Sequence, residues 1–178
     1  MSEINDKLFY FSKSRDVAPG KGANEIVKNP LIYNDLAKIK DWRKNLSNFH
    51  LYPFKYEENT YNTIEHAFQA KKIEIADKNK ALLFTVDSDN EIGLGDGLIA
   101  RKNRKLCKLN KQQLQMWNNI KFDIMNKISI EKYKVCQEAR DVLIATKNAE
   151  LWHIVSRSKP FRVEYLEKIR DSYLESLE

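Results

Sequence analysis

Cysteine is almost missing from this sequence: only Cys107 and Cys136 occur in 178 residues. They lie far apart, without CxxC or Cys/His ligand spacing, which excludes a disulfide framework and a cysteine-built zinc site. Two reduced, partly buried thiols are the expectation. Glycine and proline are sparse as well, five and four residues, and this favours helices over a strand-rich sandwich. No apolar run approaches the roughly 18 to 20 residues that cross a bilayer. The first residues, MSEINDKLFY, carry acid where a secretory signal carries base and an apolar core. A soluble cytoplasmic protein with no membrane partner is therefore expected. No ligand cluster suggests a metal, so neither metal nor cofactor is expected.

What is present fits one globular unit. The hydrophobic share of 42% is ordinary and the charged share of 31% slightly high, so disorder is not indicated. The length suits a single domain spanning 1–178, with a core that needs no staples. The formal charge of +6 can steer phosphates or nucleotides toward the surface, but lysine is spread along the chain and also reads as an ordinary solvated surface.

Along the chain, the aromatic run LFYFS at 8–12 has strand character, and SRDVAPGKGANE after it reads as a loop, the least ordered-looking stretch. From Pro30 to Lys44, Leu31, Ile32, Leu36, Ile39 and Trp42 recur at helical spacing. LSNFHLYPFKYEENTY alternates aromatic and polar residues about a turn at Glu57–Asn59, as a hairpin does. Thr63 is placed to cap a helix running to about Asp77. GLGDG at 93–97 interrupts the pattern and lacks the spacing of a phosphate-binding loop, so it reads as a loop with Asp96 near a site rim. Helical periodicity returns over 111–128, 131–146 and 163–177.

The informative segment is Tyr61 to Lys72. At about 100° per residue, Glu65, Gln69 and Lys72 share a sector roughly 60° wide, beside an apolar stripe of Ile64, Ala67, Phe68 and Ile75. A carboxylate, an amide and an ammonium at the edge of a buried stripe can point into a cleft, where their protonation is tunable. The same spacing also describes a polar stripe wetting the outside of a helix. Periodicity does not choose between them.

Leu46-Ser-Asn48-Phe49 followed by Tyr61-x-Thr63-x-Glu65-His66-x-Phe68-Gln69-Ala70-x-Lys72 resembles the signature of the NADAR (YbiA-like) family. Eight matched positions in twelve residues make this specific. The likeness continues through Ala100-Arg101-Lys102, Trp117 with Met125, Leu143-Ile144-x-Thr146 and Glu150-Leu-Trp152-His153 to Arg157. It is strongest over 46–170, leaving 1–45 as an N-terminal extension of strand, loop and helix. Where many members carry a Tyr-Trp-Gly-rich loop with an Asp near the C-terminus, this chain has Glu150 to Arg162 in a shorter form.

The resemblance implies an α+β fold, one predominantly helical domain with a small β element, and cleavage of N-glycosidic bonds. The substrates it implies are ribosylated or ADP-ribosylated bases, either riboflavin-pathway ribosylamino-pyrimidines or ADP-ribosyl-guanine. Catalysis is expected from Glu65 and Lys72. Substrate binding is expected from Asn48, Phe49, His66, Gln69, Arg101, Trp117, Trp152 and Arg157. Breaking a ribose C1–N bond builds positive charge at C1, which a carboxylate stabilises while it activates water, the role Glu65 suits. Lys72 suits either a phosphate anchor or an amine forming an imine with an opened sugar. Gln69 and Asn48 offer donors and acceptors for hydroxyls, and Arg101 a fork for phosphate, though each also reads as a satisfied polar group. Trp117 and Phe49 read as stacking walls or as core.

Two further readings remain at this stage. One is a non-catalytic module binding ADP-ribose or a related nucleotide. The other is a general nucleic-acid binder, which rests on net charge alone and lacks any recognised module. The expected partner is a small nucleotide or an ADP-ribosylated nucleic-acid base, with no obligate protein partner.

Overall fold

In a computed structural model, residues 4–178 are described, and Met1–Glu3 lie outside the described residues. The chain forms two units: Met1–Ser47 with Gln137–Glu178, and Asn48–Cys136.

In the first unit, the aromatic run expected as a strand forms β1 (Lys7–Tyr10). It pairs in parallel with β4 (Glu150–His153), setting Phe9 opposite Trp152, and β4 pairs antiparallel with β5 (Phe161–Arg162). The helices α1 (Asn34–Lys38), α2 (Trp42–Asn45), α8 (Gln137–Ala145) and α9 (Glu164–Glu175) complete this unit.

The helix expected over Pro30–Lys44 is broken. A 3-10 turn at Pro30–Tyr33 leads into α1, and Asp41 adopts a left-handed φ of 54° before α2 begins. Tyr33, Leu36 and Trp42 enter the core while Leu31 and Ile32 stay exposed. Their periodicity is therefore only partly a burial pattern.

The stretch 15–25 is held in place by a buried ion pair. Arg43 meets Glu25 at 2.6 Å, and both side chains are almost wholly buried. Glu25 accepts from the backbone N–H of Phe9 (3.0 Å), Gly20 (2.9 Å) and Gly22 (3.0 Å), and Arg43 donates to the carbonyls of Val17 and Ala18. Every lone pair and proton of the pair finds a partner, the condition under which a buried ion pair is tolerated. A cavity of about 200 Å³ beside this loop is lined in part by Phe9, Ser14, Val17 and Arg43.

In the second unit, β2 (Phe54–Tyr56) and β3 (Asn59–Tyr61) form the expected hairpin, turning at Glu57 with φ 53°. The chain then enters α3 (Ile64–Glu74) at Thr63, whose side chain accepts the His66 N–H. Around α3 pack α4 (Lys78–Leu82), α6 (Gly97–Lys102) and α7 (Lys111–Val135), with α5 (Glu91–Leu94) beside α6. The core joins Ile64, Ala67, Ala70 and Ile73 of α3 to Phe54, Phe84, Ala100 and Ile128. Alanines at 67 and 70 let neighbouring helices approach closely.

The helix expected to end at Ile128 continues to Val135, with the Ser129 hydroxyl bonding back to the Met125 carbonyl at 2.8 Å, and the separate helix expected over 131–146 begins only at Gln137. It stops where Cys136 turns to extended geometry (ψ 92°).

GLGDG proves to be two helix ends rather than one loop: Gly93 lies in α5, and Asp96 caps α6 by accepting the Ile99 N–H at 2.9 Å. A Cβ on Gly93 would stand 2.0 Å from the Thr85 carbonyl oxygen, and one on Gly97 would stand 2.6 Å from Phe49 Cγ. Since backbone cannot yield as a side-chain tip does, Gly93→Ala is expected to cost about 3 kcal/mol. Urea unfolding at constant m-value measures it.

Candidate active site

The start of α3 is fixed on several sides. Thr63 caps it from within, and the carbonyl of Asn48 accepts the Glu65 N–H at 3.1 Å, so two orphan donors of the first turn are satisfied. The segment 48–50 is held in turn: buried Lys132 donates to the His50 carbonyl at 2.6 Å, and Asn48 Nδ2 lies 3.7 Å from Met125 Sδ. The expected Asn48 and Phe49 thus sit on a strip tied to α3 and α7, with Phe49 against Gly97 of α6.

On this frame α3 buries three polar side chains, Glu65, His66 and Gln69, leaving Glu65 4% and Gln69 6% exposed. Neither belongs to a solvated outer stripe. Gln69 Nε2 donates to Glu65 Oε1 at 2.8 Å. Burial pushes the Glu65 carboxyl above the ordinary carboxylate range, while the Gln69 bond and the charges of Arg101, Arg104 and Lys72 oppose that rise.

Lys72, one turn further on, is half-buried. Burial first, and the charge of Arg104 second, pull its ammonium below the ordinary lysine value, with Glu65 acting the other way. Among the described residues, none of Lys72, Arg101 and Arg104 forms an ion pair. Arg101 and Arg104 are exposed on and just beyond α6, where Arg104 Nη1 donates to the Arg101 carbonyl at 3.1 Å.

Arg104 was not among the residues expected from sequence, nor were Lys105 and Lys121, which also depress Lys72. A readable signal existed. Between Asp96 and Asp123 the sequence has no acidic residue, yet carries Lys or Arg at 101, 102, 104, 105, 108, 111 and 121.

His66 is completely buried. Its Nε2 faces the Ile92 carbonyl at 2.8 Å and its Nδ1 the Thr63 hydroxyl at 2.8 Å. A carbonyl only accepts, so Nε2 carries the proton, and Nδ1 accepts from Thr63 in the neutral ring. Burial holds the ring below its ordinary value, against the Ile92 bond and Asp96. His66 thereby ties the start of α3 to α5 and has no surface left for a ligand. His66→Ala leaves two buried groups unsatisfied and a void, and is expected to cost about 3 kcal/mol. Chemical denaturation measures the loss, and an unchanged midpoint would contradict this role.

Trp117 of α7 is 4% exposed and tilted against Phe68 of α3, ring centroids 4.8 Å apart. Its indole braces α3. Trp152 and Arg157 belong to the other unit. There Trp152 stacks on Phe9 at 5.8 Å and donates from Nε1 to Glu150 at 2.9 Å, and exposed Arg157 sits in a turn with φ 60°. Glu65, Gln69, Lys72, Arg101, Asn48, Phe49, His66 and Trp117 share the second unit.

Among the described residues, no group of three or more His, Cys, Asp or Glu side chains is placed to hold a metal ion, and no helix is long and apolar enough to cross a membrane. A buried carboxylate beside unpaired cations can bind an anionic substrate and take a proton from water near it.

A family model described as NADAR domain matches residues 37–163. An NMR structure of the E. coli protein YbiA is similar: the chains are 24% identical, the likeness covers 76% of this chain and 82% of that one, and the TM-score is 0.58. The likeness bears out the α+β fold. No curated protein matches the chain significantly.

Proposed function

The chain belongs to the NADAR family, and from that premise we propose that it is an N-glycosidase hydrolysing the bond between ribose C1 and the nitrogen of a ribosylated or ADP-ribosylated base. One observation carries the reading more than any other. Glu65 is a buried carboxylate whose hydrogen-bond partner is an amide rather than a cation. Burying such a group without an ion pair is costly, and its raised proton affinity suits a base working near neutrality.

In this reading the base nitrogen departs with the C1–N bonding pair and is protonated. Water supplies the new C1–O bond and gives its proton to Glu65. The carboxylate also stabilises the positive charge that builds at C1. Arg101 and Arg104 take the phosphate or pyrophosphate by their planar forks, and Lys72 acts either as an amine at C1 or as a further anchor for that phosphate, two roles that its Arg variant separates. Asn48 and Phe49 border the sugar and base, while His66 and Trp117 keep α3 in place. A module that only binds ADP-ribose needs neither Glu65 nor Lys72, and an ionised carboxylate at the site would weaken its hold on an anion.

The pH–rate profile tests this. Glu65 must be ionised to accept a proton, so kcat should rise with pH through a value above the ordinary carboxylate range. A profile with no acid limb would remove Glu65 from the mechanism.

A further inference from the structure

Three polar side chains are buried on α3, and two are satisfied by their partners. His66 has both ring nitrogens engaged, and Glu65 accepts from Gln69. Gln69 is different. Its amide nitrogen donates to Glu65 Oε1, and Gln69 Oε1 is left buried with no hydrogen-bond partner. An orphaned buried acceptor costs about 1 to 3 kcal/mol, and such groups are rare enough in folded proteins to need an explanation.

The missing partner is a donor. A phosphate or carboxylate is an acceptor, and Arg101 and Arg104 are the groups proposed for it. An acceptor beside those cations calls for a hydroxyl or N–H on the same ligand. Its position narrows the choice. Gln69 is bonded at 2.8 Å to the carboxylate assigned to C1, so its oxygen lies beside the group that serves that carbon. On a ribosyl ring, the hydroxyl next to C1 is the 2′-hydroxyl.

We infer that Gln69 is a specificity residue, its Oε1 accepting a hydrogen bond from the ribose 2′-hydroxyl, so that the site takes ribosyl and rejects 2′-deoxyribosyl ligands. The inference rests on the N-glycosidase reading for the placement of C1 beside Glu65. A site that hydrogen-bonds a hydroxyl discriminates against the analogue lacking it, because its own polar group is then left unpaired.

Titration calorimetry with three product-like probes tests it: ribose 5-phosphate, 2-deoxyribose 5-phosphate and arabinose 5-phosphate, whose 2-hydroxyl points to the other face. The wild-type protein should bind the ribo compound about tenfold or more tightly than the other two. In Gln69→Leu and Gln69→Met that preference should vanish, through weaker binding of ribose 5-phosphate. Equal affinity of the wild type for the three sugars, or binding of none of them, overturns the inference. A preference kept in a folded Gln69 variant overturns it too. The three-sugar comparison on the wild type stands even if both variants fail to fold. A wild type that prefers ribose 5-phosphate yet releases no base from any ribosylated substrate would leave the inference standing and remove the hydrolytic reading.

Discussion

Glu65→Gln should lower kcat by about 10²-fold or more, since it removes the proton acceptor while keeping the shape. The fold should survive, for a physical reason. The wild-type carboxyl holds its proton more tightly in the folded chain than in the unfolded one. Its contribution to stability is therefore present at low pH and is lost as pH rises through the raised value. Above that raised value the ionised group opposes folding. A neutral amide at 65 still accepts from Gln69, so the melting temperature of the variant at pH 7 should equal or exceed that of the wild type. A marked fall in melting temperature would make Glu65 a structural residue, and wild-type turnover would remove it from catalysis.

Lys72→Arg is expected to be nearly as damaging, about 10²-fold in kcat/KM. Burial and Arg104 pull the Lys72 ammonium toward its free amine, the form that attacks C1. In that step the amine nitrogen bonds to C1, the C1–N bond to the base breaks and the base leaves with the amine's proton. The ring opens to an imine as the second amine proton passes to the ring oxygen, and water then hydrolyses the imine to release the sugar and the free lysine. A guanidinium stays protonated and cannot replace it. Borohydride added during turnover should reduce the imine to a stable amine, leaving a sugar adduct that peptide mass spectrometry maps to Lys72. The alkaline limb gives an independent sign: rate should rise as pH passes the lowered lysine value if the amine attacks, and fall there if the ammonium only anchors phosphate. An active Lys72→Arg protein with no adduct would leave Lys72 as an anchor and water attack directed by Glu65 as the route.

Much of the second unit was legible in the sequence because its signals are local. Thr63 three residues before His66 is a cap, the aromatic alternation about Glu57 is a hairpin, and both are present. The sector of Glu65, Gln69 and Lys72 was legible as geometry. Whether it met solvent or protein depended on α6 and α7, elements 30 to 70 residues away that no periodicity in α3 encodes. His66 shows the same limit from the other side. Its neighbour in the motif made it a ligand candidate, but its partner Ile92 lies 26 residues on, and that distant carbonyl consumes its chemistry. The loop at 15–25 looked loose because glycine and proline are visible in a sequence and the pairing of Glu25 with Arg43 is not. Arg104 lies outside the motif positions, and its signal in the sequence is the long acid-free interval around it.

The most direct test of hydrolysis at Glu65 is a single-turnover incubation of wild-type protein in excess over each of two substrates, an oligonucleotide carrying ADP-ribosyl-guanine and a ribosylamino-pyrimidine phosphate. Products are followed by mass spectrometry beside a Glu65→Gln control. One of the two substrates should yield an intact base and a sugar bearing a new hydroxyl at C1, with the control silent over the same interval. Both substrates bound by the wild type and recovered whole would contradict an N-glycosidase and leave a nucleotide-binding module in its place.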